Sequence, residues 1–199
     1  MIRRSVRTFL SSALVVAGLF ALATDASAQT KKPETPKPKA QTPAPVQTPA
    51  TQGQPTQIGA FGSWAVYASD TPTGRVCYAL SMPKDRQPAG LTRDQAYFFV
   101  SSRPKENVRD EISFVLGFPP KEGADGQLVL GKTTFAVSTK VQGNAWMKSP
   151  QDDPAVIEQM KKAPQAVLKL TSKRGNALTD TYAMAGFAQA LDQVKKACP

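Results

Sequence analysis

From residue 58 onward, apolar and polar side chains alternate in short runs broken by glycine, proline, aspartate and asparagine. This is the pattern of half-buried strands joined by turns. Residues 61–67 read as a strand with Trp64 and Val66 on one face, 70–74 (Asp-Thr-Pro-Thr-Gly) as a turn, and 75–81 as the returning strand. The polar stretch 83–90, with two prolines, reads as a loop. Strands follow at 95–101, ended by Pro104, and at 111–118, where Ile112, Phe114 and Leu116 share a face. Residues 128–130 and 133–137 flank Gly131, and the short piece 144–147 carries Trp146.

Two stretches switch to the helical period. Asp152-Asp153-Pro154 supplies a cap and a first-turn proline for a helix over 154–163, with Val156, Ile157 and Met160 on one side and Pro164 as its stop. Strands at 165–171 and 177–184 then pair across Ser172-Lys173-Arg174-Gly175, where Gly175 provides the positive φ of the turn. A last helix spans 186–197. Phe187, Leu191, Val194 and Cys198 fall four, three and four residues apart, so they lie on one face. On its strand Cys77 points the same way as Arg75 and Ala79, opposite Val76, Tyr78 and Leu80. The last helix is therefore expected over the Cys77 face. The other face, with Trp64, Val66, Val76, Tyr78 and Leu80, is expected to point inward.

The residues before 58 are of another kind. Residues 1–7 are basic, 9–23 are apolar, and Ala26-Ser27-Ala28 is a small-x-small cleavage pattern, so 1–28 reads as an export signal and the mature chain as starting at Gln29. The apolar run is too short to span a bilayer well, and no membrane span is expected once it is cleaved. Residues 29–57 are built from Pro, Thr, Lys, Gln and Ala. Such a composition cannot bury enough apolar surface to offset its ordering, so it reads as a disordered linker. Two cysteines in an exported chain predict one disulfide, Cys77–Cys198. It would close a loop of about 120 residues and contribute roughly 4 to 5 kcal/mol by the chain-entropy model.

Charge sharpens the picture of partners. The chain carries +10; the signal removes three arginines and Asp25, leaving +8, and four lysines and Glu34 put +3 on the linker, so +5 remains on 58–199. In the envelope, a basic protein meets anionic lipid or cell-wall polymer before nucleic acid. The Lys/Pro tract is a candidate for that contact, and a plain spacer is the alternative. Nucleic acid is not an expected partner. Lys161, Lys162, Lys169, Lys173 and Arg174 form a candidate anionic-partner patch; a wet helix end and a hairpin tip would produce the same cluster.

The chain has no histidine, which removes Ser-His-Asp and Cys-His nucleophiles and histidine metal sites. No metal or cofactor is expected. Residues 126–133 fit a phosphate-loop expression, but Leu128-Val129-Leu130 and the apolar alternation after Thr133 call for strands where that loop must open a helix. Ser81-Met-Pro-Lys84 and Ser102-Arg-Pro-Lys105 fit Ser-x-x-Lys, with no Lys-Thr-Gly companion. The pair Asp110-Glu111 straddles a strand start and points opposite ways, and Asp152-Asp153 is accounted for by capping. No catalytic residue is therefore assigned.

A series of short motifs runs in order through the domain: Trp64-Ala-Val-Tyr67, Val76-Cys-Tyr-Ala79, Arg93 with Tyr97-Phe98, Glu111-Ile-Ser113 before Gly117, Trp146, Met160-Lys161, 172–175, Thr179-Asp-Thr-Tyr182, Gly186-Phe187 and Cys198. The series, over about 61–198, resembles the invasion-associated locus B family of envelope proteins. The resemblance implies an exported immunoglobulin-like β-sandwich, no known catalytic residues and, in some pathogens, an association with host-cell invasion and virulence. Tyr67-Ala-Ser69 lacks the extra cysteine that some members carry there. The expected function is thus a non-enzymatic interaction module of the periplasm, or of the outer membrane or exterior, whose partner is an envelope or host protein. A small-ligand carrier with an aromatic pocket around Trp146 and a cell-wall-acting hydrolase are the alternatives.

Overall fold

The computed structural model describes residues 53–139 and 143–199. The signal pattern and the proline-rich tract as far as residue 52 lie outside the described residues. The strand signals become β1 (Thr56–Phe61), β2 (Trp64–Thr71), β3 (Gly74–Ser81), β4 (Asp85–Gln87), β5 (Tyr97–Arg103), β6 (Val108–Val115), β7 (Gly126–Leu130), β8 (Thr133–Ser138), β9 (Asn144–Met147), β10 (Gln165–Thr171) and β11 (Ala177–Ala183). The helices are α1 (Asp153–Met160) and α2 (Phe187–Ala197). The chain is mainly β, with helices in the two expected places.

Several boundaries differ from the sequence expectation: β5 and β6 run 97–103 and 108–115 rather than 95–101 and 111–118, α1 ends at Met160 rather than 163, and three further differences shape the sheet. The sheet begins at Thr56 rather than 58, because Thr56 and Gln57 pair with Ala68 and Tyr67 of β2 and so leave the linker. Residues 61–67 are not one strand: Gly62-Ser63 turns the chain between β1 and β2. Gly62 has φ +55°, and a Cβ there would collide with the Ala185 carbonyl oxygen, so only glycine fits the turn against the end of β11. The loop at 83–90 contains β4, three polar residues that hydrophobic alternation cannot reveal. Arg86 of β4 sits opposite Asp180 of β11 and bonds to its carboxylate.

All eleven strands join in one antiparallel sheet, in the order β1-β2-β3-β5-β6-β9-β8-β7-β10-β11-β4. The sheet folds over on itself. Phe98 of β5 and Tyr182 of β11 are six positions apart in strand order, yet their rings lie 5.3 Å apart, edge to face. Trp64 of β2 donates its indole N–H to the Ala183 carbonyl of β11 at 3.1 Å. The two layers of the sandwich are therefore halves of one continuous sheet, because β9 and β8 carry the hydrogen bonding round the corner between them.

The inward face is not the one expected. Val66 lies opposite Ala79 and Ala68 opposite Cys77, and directly opposed residues of an antiparallel pair point the same way. Trp64, Val66 and Ala68 thus share the buried face with Cys77 and Ala79, joined by Phe98, Val100, Ile112 and Phe114. Val76, Tyr78 and Leu80 lie on the opposite face, half-buried. There Tyr67 stacks on Tyr78 with centroids 5.4 Å apart, and Phe99 meets Tyr78 at 5.6 Å. The aromatics shield one another, which is why both faces of β3 look apolar in the sequence. α2 does cover the Cys77 face: Phe187, Ala190, Leu191 and Val194 are buried, and the Phe187 ring lies 4.9 Å from that of Trp64. Cys198 follows and is bonded to Cys77.

Tyr182 carries an anomaly. It is fully buried, its hydroxyl has no hydrogen-bond partner among the described residues, and burial pushes its phenol well above the ordinary pKa. An unsatisfied buried hydroxyl costs free energy that phenylalanine would not. Tyr182→Phe is expected to leave stability unchanged or raise it by up to about 1 kcal/mol. A drop in melting temperature would reveal a buried partner for the hydroxyl.

α1 packs Val156, Ile157 and Met160 toward β6 and β7, but its start is not capped as expected. The 3-10 turn Pro150–Asp152 runs straight into the helix, so Asp152 is already helical (φ −80°, ψ −17°), and no cap hydrogen bond forms from its side chain. Asp153 is instead buried, and one carboxylate oxygen has no partner among the described residues. Burial, with the charges of Glu111, Asp152 and Asp110, raises its pKa from 3.8 to about 6, while a backbone hydrogen bond from Ile112 pulls the other way. The folded protein thus takes up this proton before the unfolded chain does, so the group adds stability as pH falls from about 7 to about 4. Asp153→Asn is expected to gain about 1 to 2 kcal/mol at pH 8, allowing for solvent screening, and nothing at pH 4. Urea midpoints of both proteins at the two pH values test it; an equal difference at both would sink the assignment.

Candidate binding pocket

At one end of the sandwich three loops meet: 88–94 after β4, 116–120 after β6, and the β10–β11 hairpin at 172–176. Local sequence explains each approach. Gly117 has φ +67°, and a Cβ there would strike the Asp94 carbonyl oxygen, so glycine lets the first two loops touch. The Asp94 N–H donates to the Gly117 carbonyl at 2.9 Å. In the hairpin, Gly175 N–H donates to the Ser172 carbonyl at 2.8 Å and Asn176 N–H to Ser172 Oγ at 3.1 Å. Lys173 N–H donates to the Pro119 carbonyl at 2.9 Å, which pins the hairpin to the second loop.

A buried ion cluster locks this end. Asp180 of β11 accepts from Arg86 Nε at 3.1 Å and from Arg93 at 3.0 Å, and its side chain is 4% exposed. Arg86 also donates to the carbonyls of Asp94 at 2.7 Å and Leu116 at 2.9 Å. Two guanidiniums thus share one carboxylate, and removing Asp180 would leave two positive charges uncompensated. Sequence reasoning missed this cluster, although a signal existed. Leu178, Asp180 and Tyr182 share the buried face of β11, and an acid at a core position demands a cation.

Between the loops lies a pocket of about 520 Å³. Leu91, Phe118 and Leu178 supply apolar wall; Thr92, Lys173 and Arg174 supply polar groups. Neither Lys173 nor Arg174 forms an ion pair among the described residues.

The sequence patch is therefore divided. Lys173 and Arg174 line the pocket. Lys161 and Lys162 follow α1 at the other end of β10, roughly 20 Å away at about 3.3 Å per strand residue. Lys161 pairs with Glu158 at 2.7 Å, and Lys169 is exposed along β10. Trp146 lies opposite Ser113 on the outward row of Phe99, away from the pocket lining. Asp110 pairs with Lys195 and Glu111 with Arg103. Residues 126–133 form strand, turn and strand. Ser81 and Ser102 are buried on their strands. Among the described residues, no group of three or more Asp, Glu, Cys or His side chains could hold a metal ion, and no helix is long and apolar enough to cross a membrane.

The fold is similar to one solved structure, the crystal structure of invasion associated protein B from Bartonella henselae. The match has a TM-score of 0.49 at 10% identity and covers 69% of this chain and 95% of that one. No family model and no curated protein matches the sequence.

Proposed function

We propose that this chain is an exported, non-enzymatic envelope protein of the invasion-associated locus B type, and that it binds an anionic group of its partner at the end pocket. One observation carries the reading. The buried charges around the pocket are satisfied structurally, while Lys173 and Arg174 line it without a counter-ion among the described residues. Such an arrangement suits recognition rather than proton transfer, because the one fully buried carboxylate there, Asp180, is held by two arginines. The signal pattern and the disulfide support export to an oxidising compartment. The pocket's volume is within the range of ligand sites, which favours the small-ligand carrier as the second reading.

The test is photo-crosslinking in the intact envelope, with the reactive group at Asn176 in the hairpin and, as control, at exposed Gln189 on α2. Adducts from Asn176 alone support the reading. Adducts from Gln189 alone, or from neither in a correctly exported chain, overturn it. Fractionation tests export: the processed chain should begin at Gln29 and appear in the periplasm, in the outer membrane or outside the cell.

A further inference from the structure

We infer that the end pocket takes an apolar group that terminates in a carboxylate. The inference deepens the binding reading above and rests on it.

The shape supplies the apolar half. Leu178 is 3% exposed, and Phe118 is half-buried beside it. Leu91 is 41% exposed at the rim, one of only two large hydrophobic residues so exposed among the described residues. An apolar body seated here would remove the open side of Leu91 from water, a gain of roughly 25 cal/mol for each Å² buried.

The charges select the other half. Lys173 and Arg174 are opposed along the lining by a single acid, Asp94, whose side chain forms no ion pair among the described residues. The buried Arg93 is already engaged by Asp180. The unengaged side chains leave one excess positive charge, and Arg86 and Arg93 sharing Asp180 leave a second beside it, so the lining favours an anion; a carboxylate sets the least negative charge against Asp94. The guanidinium of Arg174 offers a planar fork that matches a carboxylate. The hairpin beneath both cations is fixed by Ser172, Gly175 and Pro119, so little backbone need be ordered on binding.

The carboxylate could be that of a free amphiphilic acid or the terminus of a peptide chain, and two probes separate these sources. In one arm the full exported chain, ¹⁵N-labelled, is titrated with 4-phenylbutyrate; in the other, with a short peptide ending in Phe. The amide of each is its control. Expected are shifts at Leu91, Asp94, Gly117 and Asn176, with each amide at least tenfold weaker. A Lys173→Gln, Arg174→Gln double variant should weaken the acid at least tenfold at unchanged melting temperature. Tighter binding of the free acid names the first source, and tighter binding of the peptide names the second. Equal binding of acid and amide overturns the inference. So does tighter binding of phenylphosphate, which overturns the ligand class but leaves the binding reading standing. If no probe shifts these residues, the inference fails; if Asn176 also yields no adduct in the envelope, the binding reading fails with it.

Discussion

Removing the Cys77–Cys198 bond, as Cys77→Ala with Cys198→Ala, should cost the domain about 3 to 5 kcal/mol. The bond joins residues 121 apart in sequence, so the unfolded chain without it regains the freedom of almost the whole domain. Alanine avoids burying new hydroxyls, since both cysteines are buried. Residues 198–199 have a second tether, because Arg109 donates to the carbonyls of Cys198 at 2.7 Å and Pro199 at 2.8 Å. The folded structure should therefore survive, and the loss should appear mainly through the unfolded state. In a domain of this size it corresponds to a fall of roughly 10 to 20 °C in melting temperature. A loss below about 1 kcal/mol would mean that the unfolded chain is already compact enough to hold these ends together.

Leu191→Ala should cost about 2 to 5 kcal/mol, and Gln189→Ala less than roughly half a kcal/mol. Leu191 is fully buried where α2 lies on the face that carries Trp64 and Cys77, whereas Gln189 is exposed. An eleven-residue helix is marginal alone, so its stability comes from this stripe. Denaturation midpoints should be measured with the disulfide intact, so that the staple cannot mask or mimic the packing term. Equal midpoints for the two variants would mean that α2 does not rest on its Leu191 side.

The α2 stripe was legible because Phe187, Leu191, Val194 and Cys198 recur at helical spacing, and the staple because two cysteines were available. The inward face of β3 was not. Alternation shows that Cys77 and Tyr78 point opposite ways, but which way is inward depends on cross-strand register, and that rests on Ala68 meeting Cys77. The stacked Tyr67 and Tyr78 then made the outward face look like core. β4 escaped because its place is held by the Arg86–Asp180 ion pair and by pairing to β11, neither of which leaves a hydrophobic period. The pocket was half legible. Lys173 and Arg174 were singled out, yet their neighbours there are Thr92, Phe118 and Leu91, from loops more than fifty residues away in sequence. The remainder of the lysine patch was grouped by nearness in sequence, and the length of β10 separates it.

If the proposed recognition takes place at the end where 88–94, 116–120 and 172–176 meet, hydrogen exchange of the exported chain, alone and in the presence of its own envelope fraction, should reveal it. The expected result is slowed exchange confined to those three loops, abolished by the Lys173→Gln, Arg174→Gln double variant. Slowed exchange centred instead on β2, β3 and β5 would contradict it and place the contact on the outward face that carries Tyr67 and Tyr78.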